Sequence, residues 1–192
     1  MKRVGVLALQ GDFEAHRKAL AEAGAAGVEV RRAAELVGLD GLVIPGGEST
    51  TMLKLLRREN MLRPLREFGA RHPIFGTCAG AILVAKTVAN PEQESLGLVD
   101  ISVERNAYGR QLDSRVARVT LEPGVNGELG GGELEAVFIR APIVRDVGAN
   151  VRVLARYRGD PVLLEQGRHL VATFHPELSA DRRVQRLFLS KL

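Results

Sequence analysis

The sequence predicts an α/β fold of three layers, in which an open, mostly parallel sheet lies between helices and continues into an antiparallel extension. Short continuous apolar runs end at glycine or proline, which is typical of strands buried on both faces. In the first half of the chain these runs alternate with helical patterns, as expected for parallel strands joined by crossover helices. After Pro91 strand-like runs follow one another with short connections, which favours antiparallel pairing.

The first elements follow from this alternation. Residues 4–9 predict the first, central strand, and Asp12 is expected to cap a helix that continues to about Gly24. Residues 28–30 predict a second short strand. Residues 42–44 predict a third strand, which a proline and two glycines bring to an end.

The next helix is expected to begin at a hydroxyl side chain, either Ser49 or Thr50, because such residues cap helix N-termini. Residues 73–75 then predict a brief strand, residues 76–80 a tight turn, and residues 81–86 the body of another helix. The order of elements in this half is therefore that of a parallel sheet covered by helices.

The second half of the chain predicts the antiparallel extension and the closing elements. Its strands are expected at residues 116–121, 133–139, 151–157 and 161–165. Residues 124–132, which contain Asn-Gly and three consecutive glycines, predict a flexible hairpin tip rather than a domain linker. Residues 170–174 return to the buried-strand pattern, and residues 181–192 predict a final amphipathic helix.

Composition limits the classes of protein that fit. The chain has 192 residues, of which 45% are hydrophobic and 26% charged, so we expect a single globular domain over residues 1–192. The net charge is +4, but the arginines are dispersed, which argues against nucleic acid as a partner. Residues 4–9 are too short for a membrane span and do not resemble a signal peptide. We therefore expect no membrane association and a cytoplasmic location, where a single cysteine stays reduced more easily.

The cysteine, Cys78, stands between Gly76 and Gly80 in the pattern Gly-x-Cys-x-Gly, with an apolar strand before it and an apolar helix after it. This pattern is typical of a nucleophile elbow, where a sharp strand-to-helix turn lifts the nucleophile above the sheet. The positive end of the helix dipole favours the thiolate form. A small buried core cysteine is the alternative, and the bracketing glycines favour the nucleophile.

His175 follows the last buried run, so its ring is expected at the carboxyl edge of the sheet, where catalytic groups gather in open α/β folds. In an extended backbone, residues two apart point the same way, so the Glu177 carboxylate is expected to reach the ring nitrogen that faces away from Cys78. A surface histidine beside a capping glutamate is the alternative. The other three histidines lack a comparable context, although His16 lies near the loop after the first strand.

Two further features suggest a substrate site. Gly46 and Gly47 lie between a strand and a helix, where their exposed backbone amides can donate hydrogen bonds to an oxyanion. A phosphate-binding loop and a plain turn before a helix are the alternatives. Arg105 and Arg140 could hold a substrate carboxylate by paired hydrogen bonds, although surface arginine is the default interpretation for either.

The elbow, followed far downstream by His-x-Glu after a strand, resembles the class I, triad-type glutamine amidotransferases, which have a flavodoxin-like fold. Within this group the chain looks like the family of glutaminase subunits of pyridoxal 5′-phosphate synthase. The resemblance is carried by residues 7–13 with His16, then 45–50, 76–80, 105–111, 138–142 and 174–177. Residues 10–13 and 105–111 distinguish this family from others with the same elbow.

The resemblance implies roles for individual residues. Cys78 is the expected nucleophile, and His175 and Glu177 complete the catalytic relay. The expected glutamine site comprises Gly46, Gly47, Glu48, Arg105, Ile139 and Arg140. The backbone amides at Gly47 and Ala79 are the expected oxyanion donors.

The resemblance also implies a partner, a barrel-shaped synthase subunit that receives ammonia, so that neither a cofactor nor a metal is expected on this chain. Three other functions remain open at this point. The chain could serve another pathway, such as imidazole glycerol phosphate synthase. It could be a cysteine peptidase or redox protein, or a non-enzymatic binding module that kept the fold.

Overall fold

The fold is that of a computed structural model, which describes residues 1–105 and 115–192. Most of the segment 105–111, on which the family resemblance partly depends, lies outside these residues. The strands in chain order are β1 (Arg3–Leu7), β2 (Ala26–Val30), β3 (Gly41–Ile44), β4 (Ile74–Thr77), β5 (Ala85–Ala89), β6 (Val99–Glu104), β7 (Arg115–Leu121), β8 (Leu134–Phe138), β9 (Ile143–Val147), β10 (Arg152–Tyr157), β11 (Asp160–Gln166) and β12 (His169–Ala172). The helices are α1 (Phe13–Glu22), α2 (Ser49–Arg58), α3 (Leu62–Gly69), α4 (Ala79–Val84), α5 (Asn126–Leu129) and α6 (Arg183–Leu189), with 3₁₀ turns at Ala33–Leu36 and Pro176–Leu178.

Within the described ranges the main sheet has nine strands in the order β2-β1-β3-β4-β12-β11-β10-β7-β8. The strands from β2 to β12 pair in parallel, and those from β12 to β8 pair antiparallel. The predicted α/β class, a mostly parallel central sheet with an antiparallel extension, is therefore confirmed. A smaller sheet in the order β5-β6-β9 lies beside it.

The expectation that the first strand is central is wrong. β1 has neighbours on both sides, but β2 is an edge strand, so β1 lies one place from the edge. The reason is the direction of the connections. From β1 the chain passes through α1 to β2, which lies on one side of β1. It then crosses to the other side of β1, where β3 and β4 lie among the parallel strands.

Side chains alternate between the two faces of the sheet and define two apolar cores. On β3, Leu42 and Ile44 pack in one core and Val43 packs in the other. The first core is covered by α2, α3 and α4, and the second by α1 and α6, which contribute residues such as Met52 and Phe188 respectively. This arrangement accounts for the three layers and for strands that are apolar on both faces.

The predicted cap of α2 is wrong, because Glu48 rather than Ser49 or Thr50 occupies the N-cap position. The Glu48 carboxylate accepts hydrogen bonds from the backbone N–H groups of Thr50 at 3.1 Å and Thr51 at 2.7 Å. The Ser49 hydroxyl instead donates to Gln93 at 3.2 Å. A carboxylate has two acceptor oxygens, so each of the two free amides bonds to an oxygen of its own.

The segment 124–132 also differs from the prediction. It does connect the antiparallel strands β7 and β8, but it contains the helical turn α5, and Val125 and Leu129 are buried. These two apolar side chains anchor the connection in the second core, so it is not a simple glycine tip. The sequence pattern does not predict α3 or the small sheet. The strands β5 and β9 have five residues each and show no regular alternation of buried and exposed positions. Among the described residues, every helix is too short or too polar to cross a membrane.

Candidate active site

Cys78 lies alone between the end of β4 and the start of α4. Its backbone has φ = 49°, a conformation that non-glycine residues rarely adopt and that is often found at functional turns. A Cβ atom at Gly76 would lie 2.6 Å from the Gly80 carbonyl oxygen, and one at Gly80 would overlap the Ile44 carbonyl oxygen of β3. Both glycines are thus required by the close packing of β3, β4 and α4, and this packing creates the turn that raises Cys78.

Two backbone hydrogen bonds bring the turn and the histidine loop to the same edge of the sheet. The Cys78 N–H donates to the Ala172 carbonyl of β12 at 2.9 Å. The His175 N–H donates to the Val137 carbonyl of β8 at 2.8 Å. Both loops are therefore fixed to the sheet by backbone contacts.

His175 and Glu177 form a direct contact, with 2.6 Å between His175 Nδ1 and Glu177 Oε1. The contact was expected, but the expected extended backbone is wrong. Pro176–Leu178 is a 3₁₀ turn, which folds the Glu177 side chain back toward the ring. Glu177 is almost fully buried, so its carboxylate faces the histidine and not solvent.

The electrostatics of this contact favour a protonated imidazole. Burial lowers the pKa of His175, but hydrogen bonds to Cys78 and Glu177 outweigh it and raise the pKa to about 10. Burial also raises the pKa of Glu177, but the neighbouring His16 and His175 outweigh it and hold the pKa below its ordinary value. The imidazole ring of His175 therefore contacts an ionised carboxylate through Nδ1 and has Cys78 as a further neighbour.

His16 was noted in the sequence as lying near the loop after the first strand, but no role was predicted for it. It lies on α1 and is buried, with its Nε2 atom 3.1 Å from Thr77 Oγ1 and 3.3 Å from Glu177 Oε2. Burial lowers the pKa of His16 despite the nearby carboxylate of Glu177. Its place in the first turns of α1, after the helix cap Asp12, agrees with the position near this loop that the sequence indicated.

The loop at residues 46–48 packs directly against this group. A Cβ atom at Gly46 would lie 3.1 Å from His175 Nδ1, 3.2 Å from Cys78 Cβ, and closer still to His175 Cε1. The Glu48 N–H donates to Gln10 Oε1 at 2.9 Å, and Gln10 also packs on Gly47, which has φ = 150°. Gln10 thus holds the loop in place, a contact that sequence patterns alone do not reveal.

These residues surround a cavity of about 200 Å³, smaller than typical pockets for drug-sized ligands. The predicted site residues that line it are Gly47, Glu48, Cys78, Ala79, Arg105, Ile139, Arg140 and His175. Gly46 is not among its lining residues and instead lies against the His175 ring. The Cys78 Sγ atom lies 3.7 Å from the Ile139 carbonyl oxygen.

The cavity carries charges of both signs. Burial raises the pKa of Glu48, but hydrogen bonds from Thr50 and Thr51 outweigh it and lower the pKa to about 2, so the carboxylate is ionised. Arg105 Nη2 lies 3.7 Å from Glu48 Oε1, and its side chain is mostly buried, whereas Arg140 is exposed. One carboxylate and two guanidinium groups around a small cavity suit a zwitterionic amino acid as ligand.

Comparison with known proteins finds relatives that agree with one another in family. The model of the SNO glutamine amidotransferase family matches residues 6–192. The chain is 65% identical over 192 residues, all of both chains, to the pyridoxal 5′-phosphate synthase subunit PdxT of Solibacter usitatus (strain Ellin6076). It is 54% identical over 187 residues to the subunit of the same name from Koribacter versatilis (strain Ellin345), which covers 97% of this chain and 94% of the relative.

Solved structures agree with the fold. A crystal structure of a glutamine amidotransferase superposes with a TM-score of 0.88 at 46% identity, covering 98% of this chain and 97% of that one. The structure of PurLQS from Thermotoga maritima superposes with a TM-score of 0.71 at 16% identity, covering 98% of this chain and 98% of that one. The second similarity concerns the fold alone.

Proposed function

Because the chain belongs to the SNO glutamine amidotransferase family, we propose that it is the glutaminase subunit of a pyridoxal 5′-phosphate synthase. It hydrolyses L-glutamine to L-glutamate and passes the ammonia to a partner synthase subunit. The observation that carries this proposal is the contact of the His175 ring with Glu177, together with the position of Cys78 and His175 on the wall of one small charged cavity. Full-length identity to subunits named for this synthase supports the pathway.

The first chemical step is attack of the Cys78 thiolate on the side-chain carbonyl carbon of glutamine. The new C–S bond gives a tetrahedral intermediate, and its oxyanion accepts hydrogen bonds from the backbone amides of Gly47 and Ala79. His175, protonated and oriented by Glu177, gives its proton to the leaving nitrogen as the C–N bond breaks. Ammonia leaves, and a γ-glutamyl thioester remains on Cys78.

The second step releases glutamate. A water molecule gives a proton to the now neutral His175 and adds to the thioester carbonyl. Collapse of the second tetrahedral intermediate breaks the C–S bond and restores the thiolate, while the imidazole ends protonated as before. Glu177 stays ionised throughout, which its lowered pKa supports.

The charged groups around the cavity bind the two ends of glutamine. Glu48 attracts the α-ammonium group, and Arg105 with Arg140 attracts the α-carboxylate. Arg105 Nη2 lies 3.7 Å from Glu48 Oε1, so the groups for the two ends of glutamine stand side by side. Gly46, Gly47 and Ile139 shape the wall around the side-chain amide. A single glutamine amidotransferase domain over residues 1–192 accounts for these roles.

The partner we propose is a (β/α)₈ barrel synthase subunit, which receives the ammonia and builds pyridoxal 5′-phosphate from ribose 5-phosphate and glyceraldehyde 3-phosphate. Glycine loops such as residues 46–47 can reorient a peptide, so we propose that partner binding completes the oxyanion site. The names of the relatives do not favour the alternative, a subunit of imidazole glycerol phosphate synthase.

The decisive measurement is ammonia release from L-glutamine by the chain alone, with the barrel subunit, and with an imidazole glycerol phosphate synthase barrel as control partner. We expect strong stimulation by the first barrel only. Cys78→Ala should abolish turnover while glutamine still binds, as titration calorimetry can test. Full turnover by Cys78→Ala would exclude the thioester mechanism, and equal activity of the lone chain and the complex would exclude partner-dependent assembly.

A further inference from the structure

His16 makes a buried polar contact that the mechanism above does not use. Its ring is about 1% exposed, and its Nε2 atom faces two groups of the site. One is Thr77 Oγ1 at 3.1 Å, on the residue directly before Cys78. The other is Glu177 Oε2 at 3.3 Å, the carboxylate oxygen that does not contact His175.

The chemistry of the carboxylate defines the tautomer of His16. An ionised carboxylate can only accept hydrogen bonds, so a proton between His16 and Glu177 must be carried by Nε2. With the proton on Nδ1, two lone pairs would face each other in a buried setting, which is costly. Glu177 Oε2 is buried and makes no hydrogen bond to any residue that the structure describes, while His16 Nε2 lies 3.3 Å from it. A buried carboxylate oxygen without a hydrogen bond is costly, and the Nε2–H group of His16 is close enough to offset this cost.

We propose that His16 is a positioning residue of the glutaminase reaction, a neutral Nε2–H imidazole that anchors Glu177 Oε2 so that Glu177 Oε1 stays directed at His175 Nδ1. The inference rests on the proposed function and adds a residue to it. His16 does not line the cavity, so it acts through Glu177 and not on glutamine. The N–H is shared with the Thr77 hydroxyl, which links the anchor to the turn that carries the nucleophile.

The groups around His16 are consistent with a neutral donor. The titratable groups that face it are Glu177 and His175 from the histidine loop and Asp12 from the start of its own helix. Burial lowers the pKa of His16 more than the two carboxylates raise it. A neutral His16 donates to the carboxylate without adding a second positive charge beside protonated His175.

The test compares His16→Leu, which removes the donor, with His16→Gln, whose side-chain amide can donate from a similar position. His169→Leu is the matched control, because His169 is a partly buried histidine whose Nδ1 accepts from the Ile74 N–H away from the site. All variants are assayed as complexes with the synthase partner for kcat, KM and the pH profile of kcat/KM, and for melting temperature.

Without its anchor, the buried Glu177 carboxylate has a higher pKa, so the acidic limb of the pH profile moves to higher pH. We expect His16→Leu to lower kcat roughly 10- to 100-fold with little change in KM, as expected for a lost hydrogen bond to a charged group. His16→Gln should recover most of kcat and return the limb toward its wild-type position. His169→Leu should lower only the melting temperature.

A purely structural His16 would give variants with lower melting temperatures but an unmoved acidic limb, and this result would overturn the proposal. An equal loss in His16→Leu and His16→Gln would overturn it as well. If His16→Leu does not fold, ¹⁵N NMR of the His16 ring in the wild-type protein tests the proposal instead. A protonated ring or an Nδ1–H tautomer would contradict it. If the wild-type complex releases no ammonia, the proposed function itself fails, and the role of His16 fails with it.

Discussion

Replacement of Gly46 by alanine tests the geometry of the site without removing any reacting group. The new Cβ would lie less than 2.5 Å from His175 Cε1, and real Cβ contacts essentially never fall below 3.0 Å. The imidazole or the loop must therefore move by more than about half an ångström. Since Gly46 has no left-handed φ, backbone strain does not contribute. A displacement approaching 1 Å near a catalytic group can cost about 100-fold in rate, which is about 2.7 kcal/mol of transition-state stabilisation.

The assay is glutamine hydrolysis by the complex with the synthase partner, with kcat and KM measured for wild type and Gly46→Ala. The matched control is Gly127→Ala, where a Cβ atom meets nothing within 4 Å. We expect kcat to fall about 100-fold in the first variant and to stay unchanged in the second, with similar far-ultraviolet circular dichroism for both. Wild-type kcat in Gly46→Ala would refute the reasoning, because the ring of His175 would then not need its present position.

Three further predictions concern stability and pH. Gly80→Ala should lower the free energy of unfolding by about 1–3 kcal/mol in urea titrations, because its Cβ would overlap the backbone carbonyl oxygen of Ile44, which cannot move aside like a side chain. Glu48→Ala should cost about 0.5–2 kcal/mol by the same measurement through loss of the α2 cap, and should raise KM for glutamine. Because the folded-state pKa of His175 is raised from 6.5 to about 10, its pairing stabilises the fold fully below pH 6.5, and this contribution is lost as the pH rises through about 10. Wild type should therefore lose more stability than His175→Gln between these two pH values, and equal losses would contradict the pairing.

The sequence predicted the strands of the parallel half well because they are buried on both faces and lie next to glycine or proline. β3 and β4 illustrate this, since each is a short apolar run with no exposed residue. The sequence was less informative where burial depends on distant partners. Glu48 caps α2 in place of a hydroxyl residue, and Leu129 anchors a segment whose glycines predict a flexible turn.

The amino-acid sequence alone defines the chemistry available: one cysteine between two glycines, a histidine and a glutamate two residues apart, and a glycine pair after a strand. How these groups meet depends on the folded chain. A 3₁₀ turn that the sequence did not predict brings Glu177 to His175. Two other contacts join residues that are far apart in the chain: His16 with Glu177 Oε2, and Gln10 with the loop at Glu48. Local patterns report which side chains are present and which face is buried, whereas distances between elements follow from the packing of the whole sheet and its helices.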